Sequence, residues 1–405
     1  MEMSGEAGCG GPAPAALTVR VVPGLGGIPA AEWDRCALSA ESLQGTGETH
    51  NPFLTHAFLS ALEESGCVSG RSGWLPLHVV AEREGRLVGV APCYLKSHSQ
   101  GEYVFDHGWA DAYRRAGGEY YPKLQVSVPF TPVTGPRFLI APGEAPQEGV
   151  AALATALRAL REEVKASSIH VTFLPQTQWD EAGRLGFLQR IDQQFHWDNA
   201  GYAAFDDFLG ALASRKRKAI RRERREALAK GLSVEWVTGS DLTEAHWDAF
   251  YRFYMDTGSR KWGRPYLNRR FFSLIGERMP ERILLVMARR EGRAVAGALN
   301  LIGDAALYGR NWGCIEDHPF LHFEICYYQA IDFAIRRGLA RVEAGAQGEH
   351  KLARGYRPVV TRSAHDVADP GLRAAIADYL RREASYVREA VREYEDEAPF
   401  RKSET

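Results

Sequence analysis

Apolar residues recur at helical spacing at Ile325, Tyr328, Ile331 and Ile335, with Arg336 and Arg337 in the last turn and Gly338 at the C-cap position. This spacing predicts a helix over Ile325–Arg337. A short strand, Arg341–Ala346, follows, and then a glycine-flanked turn that brings Glu349, His350 and Lys351 together. Elsewhere the period changes to two. LHVVAEREGRLVGVA (Leu77–Ala91) and LLVMARREGRAVAGA (Leu284–Ala298) each read as two antiparallel strands around a Glu-Gly turn, where glycine accepts positive φ. Leu77, Val79, Ala81, Arg83, Glu84, Gly85, Arg86, Val88 and Ala91 meet identical residues in the second copy. Matching strands as well as a matching turn point to a duplicated unit.

Each half repeats the order helix, strands, helix, strand. In the first, the pattern predicts helices over Thr55–Ser65, Asp106–Ala116 and Val150–Lys165, and a strand over Ser168–Leu174. In the second, it predicts helices over Leu242–Gly258 and Phe271–Met279, and strands over Ile283–Arg289, Ala294–Ile302, Ala305–Trp312 and Val359–His365. The fold class that follows is α+β, with mixed, largely antiparallel sheets. A chain of 405 residues suits two domains of ordinary size. The expected division is a flexible leader at 1–16, a first domain at 17–205, a basic helical segment at 206–231, a second domain at 232–385 and a charged tail at 386–405.

Composition excludes several classes. Hydrophobic residues at 45% and charged residues at 25% are globular values. The N-terminus has neither a basic n-region nor an apolar h-region, and no apolar run reaches the roughly 20 residues a bilayer span needs, so a cytoplasmic protein is expected. Six scattered cysteines without a C-x-x-C pair predict neither disulfides nor a zinc ribbon. His318, His322 and Glu324 have a chelating spacing, but Pro319 interrupts it, and no metal is expected. Charge is uneven: Arg215–Lys230 holds nine Lys/Arg against two Glu, so it carries +7 and the remainder −8. Such a helix is either a footprint for an anion such as RNA or a solvated face.

Five blocks carry a family resemblance: NPFLTHAFLSALEESG, YVFDHGWADAYRRAGGEYYPKLQVSVPFTPVTGPR, SRKRKAIRRERREALAKGL, LYGRNWG and EAGAQGEHKLARGYRPV. Over about Asn51 to Asp366 the chain resembles the FemABX-like tandem GNAT-fold proteins, in the bacterial branch of peptidoglycan biosynthesis or recognition. The resemblance implies two tandem GNAT-like domains, an amine attacking an activated acyl group, no bound cofactor, and aminoacyl-tRNA as co-substrate. Single-domain GNAT proteins use acyl-CoA instead. The segment that best matches their pyrophosphate loop is Arg310–Ile315, but Ile315 is bulky there and Glu316 and Asp317 follow, which lowers the CoA reading.

On this reading Lys351 stabilises the oxyanion of the tetrahedral intermediate, and His350 and Glu349 take the proton of the attacking amine. Tyr308, Arg310, Asn311 and Tyr328 line the donor cleft, Tyr308 and Arg310 sharing one side of their strand. Arg217, Arg221 and Arg225 contact the RNA backbone. Tyr120, Tyr121, Lys123 and Arg137 receive the acceptor, a muropeptide or another amine-bearing small molecule. An acyl-CoA-dependent N-acyltransferase and an inert module that binds muropeptide or RNA are the alternatives.

Overall fold

The computed structural model describes residues 17–261, 265–345 and 348–401; the expected leader, 1–16, and the last four residues of the expected tail lie outside them. The strands of the first half are β1 (Leu17–Val22), β2 (Trp74–Pro76), β3 (His78–Arg83), β4 (Arg86–Ala91), β5 (Cys93–Lys96), β6 (Lys123–Val126), β7 (Leu139–Ile140), β8 (Ser168–Thr172) and β9 (Leu188–Asp198). Those of the second half are β10 (Leu232–Val237), β11 (Ile283–Arg290), β12 (Arg293–Ile302), β13 (Ala306–Cys314), β14 (Arg341–Glu343) and β15 (Arg357–Val367).

The two R-E-G-R hairpins take one shape. In β3–β4, Glu84 and Gly85 turn at φ 52° and 74°, Arg83 faces Arg86, and the register shifts at Ala81/Glu82. In β11–β12, Glu291 and Gly292 turn at 52° and 78°, Arg290 faces Arg293, and the register shifts at Ala288/Arg289. Each hairpin carries an antiparallel outer strand, β1 on β3 and β10 on β11. Each half also continues into a parallel pair, β6 with β8 and β13 with β14. The α+β fold of two related GNAT-like units with mixed, largely antiparallel sheets is therefore present.

The halves differ in two ways. Pro92 cannot donate to a ladder and separates β4 from β5. The first hairpin thus lies in a four-stranded sheet, β1-β3-β4-β7, while the second lies in an eleven-stranded sheet, β10-β11-β12-β13-β14-β9-β15-β8-β6-β5-β2. The last strands are also exchanged: β9 pairs with β14, β15 pairs with β8, and the two pair with each other from Arg357↔His196 to His365↔Leu188. A hydrophobic core joins the halves, with Phe53, Phe58 and Leu62 packed in one cluster with Phe271, Ile275 and Tyr308.

Some helices depart from expectation. The basic segment forms two, Phe205–Ala211 and Ser214–Ala227. The helix expected from Ile325 starts at Leu321 and passes through a π-helical stretch, Glu324–Tyr328, before Gln329–Arg337. Most of the expected tail belongs to a helix, Pro370–Asp396, that buries Leu372, Ile376 and Leu380 beside Trp109 and Tyr120. No helix among the described residues is long and apolar enough to cross a membrane.

Candidate functional site

β13 and β14 run together for three residue pairs, ending with Tyr308 opposite Glu343, and then part. On β13 a bulge leaves Arg310 between Gly309, which faces Asn300, and Asn311, which faces Leu299. Such bulges re-aim side chains. On β14 the strand ends at Glu343, and Gly345 turns at φ 78°. Beyond the Tyr308–Glu343 pair the two strands are no longer hydrogen-bonded to each other.

Lys351 lies on the segment that follows β14. Its segment, Glu349–Arg354, is a short 3-10 helix between Gly348 and Gly355, both at positive φ. A Cβ at Gly355 would lie 2.7 Å from the Phe208 ring, so close packing requires glycine there. Lys351 is 2% exposed, donates to the Gly345 carbonyl at 2.8 Å and lies 5.9 Å from the centre of the Phe195 ring. Burial without a carboxylate partner pulls its pKa down to about 8, so it remains mostly a cation at neutral pH. His350 is exposed, and its Nε2 lies 2.8 Å from the Tyr327 hydroxyl. The side chain of Glu349 lies outside the described residues.

On the other edge of β14, β9 places His196 opposite Glu343. His196 Nε2 is 3.4 Å from Gln194 Oε1 and 3.7 Å from Glu343 Oε2. Burial lowers the His196 pKa, which keeps the ring neutral. The Gln194 amide donates to the Pro132 carbonyl at 2.6 Å. Tyr308 is fully buried and donates to Glu48 at 3.0 Å, while Arg310 donates to the Phe130 carbonyl. Both sit against Phe53, the Tyr308 ring at 5.3 Å and the Arg310 guanidinium at 5.8 Å. Arg310 and Asn311 also line a cavity of about 20 Å³ with Phe53, Phe58, Phe130, Leu267, Phe271 and Leu301. That is room for a single water-sized group.

The residues expected to receive an acceptor are interior. Lys123 is 0% exposed and donates to Ser99 at 2.9 Å, to Glu102 at 2.7 Å and to Asp106. Tyr120 donates to Asp106 at 2.7 Å, and the half-buried Tyr121 meets the Ser99 hydroxyl at 2.8 Å. Arg137 is 1% exposed and donates to the carbonyls of Thr172, Gly135, Pro136 and Val133. Their partners are thus internal side chains or the backbone, while Glu102 Oε1 and Asp106 Oδ1 have no hydrogen-bond partner among the described residues. Tyr328, expected at the donor, instead donates to Glu223 of the basic helix. Nor is Arg310–Ile315 a loop: residues through Cys314 belong to β13, and Gly313 lets the backbone of Phe253 approach so closely that a Cβ would sit 2.2 Å from its carbonyl oxygen.

The basic helix Ser214–Ala227 is docked behind the Lys351 segment. Ile220, Glu223, Arg224 and Ala227 turn inward at helical spacing. Glu223 accepts from Arg354 at 3.0 Å, and Arg224 pairs at 3.0 Å with Glu324, which is fully buried, while stacking 4.3 Å from the Phe205 ring centre. Arg221 and Arg225 are exposed and Arg217 half-buried; of the three, Arg221 pairs with an exposed Asp206.

Sequence reasoning missed Glu343, His196 and Gln194. In β9 every even-numbered residue from Arg190 to Asp198 is polar. That alternation was the available signal.

Among solved structures, FemX is similar over 86% of this chain and 98% of its own, at 12% identity and a TM-score of 0.53. A tandem GNAT protein from the clavulanic acid biosynthesis pathway is similar over 88% of this chain and 99% of its own, at 13% identity and a TM-score of 0.44. L-PGS from Bacillus licheniformis is similar over 79% and 95%, at 8% identity and a TM-score of 0.48. No curated protein matches. The profile of the FemAB-like family, described as peptidoglycan biosynthesis/recognition, matches residues 24–402, and the chain belongs to that family.

Proposed function

We propose that this acyltransferase-type protein moves an aminoacyl group from aminoacyl-tRNA to an amine of a cell-wall precursor or peptide-like metabolite, in the cytoplasm and without a bound cofactor. The observation that carries this reading is the seat of the basic helix. Its inward residues, Glu223 and Arg224, tie it to Arg354, three residues from Lys351, and to Glu324 of the adjoining helix. Arg221 and Arg225 of this docked helix are exposed, and Arg217 is half-buried. A polyanion bound along these arginines gains charge-assisted contacts along its backbone, on a helix that Glu223 and Arg354 tie to the Lys351 segment.

The donor ester is already activated, so the protein has to orient the amine and stabilise the oxyanion. Lys351 suits the second of these roles, because its ammonium is held by a neutral carbonyl and keeps N–H groups for a developing negative charge. Because Arg310–Cys314 are strand residues, acyl-CoA lacks the pyrophosphate loop that the sequence offered for it.

The test supplies a lysine-bearing muropeptide with charged tRNA, with acetyl-CoA, or with neither. Amide product is expected from charged tRNA alone. Product from acetyl-CoA alone would assign an acyl-CoA-dependent enzyme, and product from neither would leave a recognition module.

A further inference from the structure

Glu343 is 4% exposed, yet its Oε2 has no hydrogen-bond partner among the described residues. An unmade hydrogen bond on a buried carboxylate is costly, so the atom needs a partner that arrives from outside. It belongs to the last residue pair before β13 and β14 separate. The surrounding groups are otherwise engaged. Arg341 donates to the other oxygen, Oε1, at 2.9 Å. Tyr308 donates to Glu48, which also accepts from Arg341 at 3.3 Å. His196, 3.7 Å away, is held neutral by burial. Arg310 feels the charge of Glu343 but donates to the Phe130 carbonyl. Lys351 acts on His196 through its charge but donates to Gly345.

We propose that Glu343 is the general base of the transfer, accepting a proton at Oε2 from the acceptor amine; this rests on the transferase reading above. The acceptor arrives as an ammonium ion, R–NH3+. Oε2 takes one proton and leaves R–NH2, whose lone pair attacks the ester carbonyl carbon. As the tetrahedral intermediate collapses, the C–N bond is kept, the C–O bond breaks, and the extra proton on nitrogen passes to the leaving ribose oxygen. Glu343 then returns its proton to water. His196 is a positioning residue that borders Oε2 without neutralising it.

The test measures single-turnover aminolysis of charged tRNA with two probe amines at pH 7, glycinamide and methoxyamine, after subtracting the uncatalysed rate. Glycinamide is largely protonated at this pH, whereas methoxyamine is already neutral. Glu343→Gln is expected to lower the glycinamide rate by roughly tenfold, since about a tenth of an α-amine with pKa near 8 is already neutral at pH 7, and to leave the methoxyamine rate within about threefold. The glycinamide rate of the variant should recover as pH rises and frees the amine. Equal losses with both amines, or no loss with either, would overturn the proposal. If Glu343→Gln melts early, Glu343→Asp, which keeps the base but withdraws it, is read on the same pair and must slow glycinamide more than methoxyamine. A wild-type protein that uses neither amine would instead count against the transferase reading.

Discussion

The parallel pairs β6–β8 and β13–β14 occupy equivalent places in a repeated unit and end differently. Where β8 ends, the chain seals itself: the Arg137 guanidinium reaches the Thr172 carbonyl and three carbonyls of its own segment. Its pKa falls to about 9 under burial with no carboxylate to oppose it, which marks an architectural group. Where β13 and β14 end, Lys351 and Glu343 keep unused polar capacity. The two ends are linked. The segment that fills the first also presents the Phe130 and Pro132 carbonyls to Arg310 and Gln194 beside the second. Duplication followed by divergence of the copies accounts for different side chains at equivalent strand ends.

The largest test of this contrast is Lys351→Ala. Single-turnover transfer at saturating donor should fall by about a hundredfold, the scale of losing one oxyanion donor, while donor affinity changes far less. The wild-type rate should also decline as pH rises through about 8, because the cation is lost there. A normal rate in the variant would remove Lys351 from the chemistry.

Arg137→Met probes the sealed end. It strands several buried carbonyls, and the expected cost is about 3 kcal/mol in denaturant unfolding. Single-turnover rates under native conditions should change less than for Lys351→Ala. The reverse outcome, a stable protein with impaired transfer, would make Arg137 a ligand-binding group.

A smaller effect is expected at the basic helix. Replacing Arg217, Arg221 and Arg225 together with Ala should weaken tRNA binding and reduce the dependence of log affinity on log salt by roughly 2, as about three phosphate contacts require. The melting temperature should hold, because Glu223 and Arg224 make the docking contacts. Unchanged salt dependence would assign the helix to structure alone.

Much of the fold was legible because hairpins and amphipathic helices advertise themselves by period. The R-E-G-R copies located the equivalent strands, and Gly338 marked a helix end that the structure keeps at φ 65°. The site was less legible for a physical reason. Arg190, Gln194 and His196 are buried polar residues on β9, which is covered on both edges by β14 and β15, so polarity there does not mean exposure. Lys123 and Arg137 have internal partners from other segments, which the aromatic block around them does not reveal in sequence. The exchange of β9 and β15 left no local signal, since pairing partners over 150 residues apart have no fixed spacing in sequence.

The last prediction compares how the two halves titrate. In the sheet of the first unit, His170 of β8 and His365 of the exchanged strand β15 are buried, their Nδ1 atoms 2.8 Å apart. Around them are the Ser168 hydroxyl at 2.7 Å, the Tyr120 hydroxyl at 3.3 Å, the Trp109 ring, and the charges of Lys123, Asp106 and Arg190. Burial, reinforced by Lys123, brings His170 down to about 3, and burial with His170 lowers His365 as well. Unfolded histidines titrate near 6.5. Below that pH the unfolded chain binds more protons, so stability should fall as pH drops below 6.5, for His170 down to about 3 and by up to about 1.4 kcal/mol per pH unit, with His365 contributing in the same direction, and these rings should contribute no slope above 6.5. Lys351 gives the same sign in another window: it is depressed to about 8 when folded, against 10.5 for an ordinary lysine, so its contribution rises between those values. Denaturant unfolding across pH should therefore show His365→Gln flattening only the acid arm and Lys351→Met flattening only the alkaline arm. An acid arm unchanged in His365→Gln would mean that the ring is not held neutral, and the two halves would then lose their separate titrations.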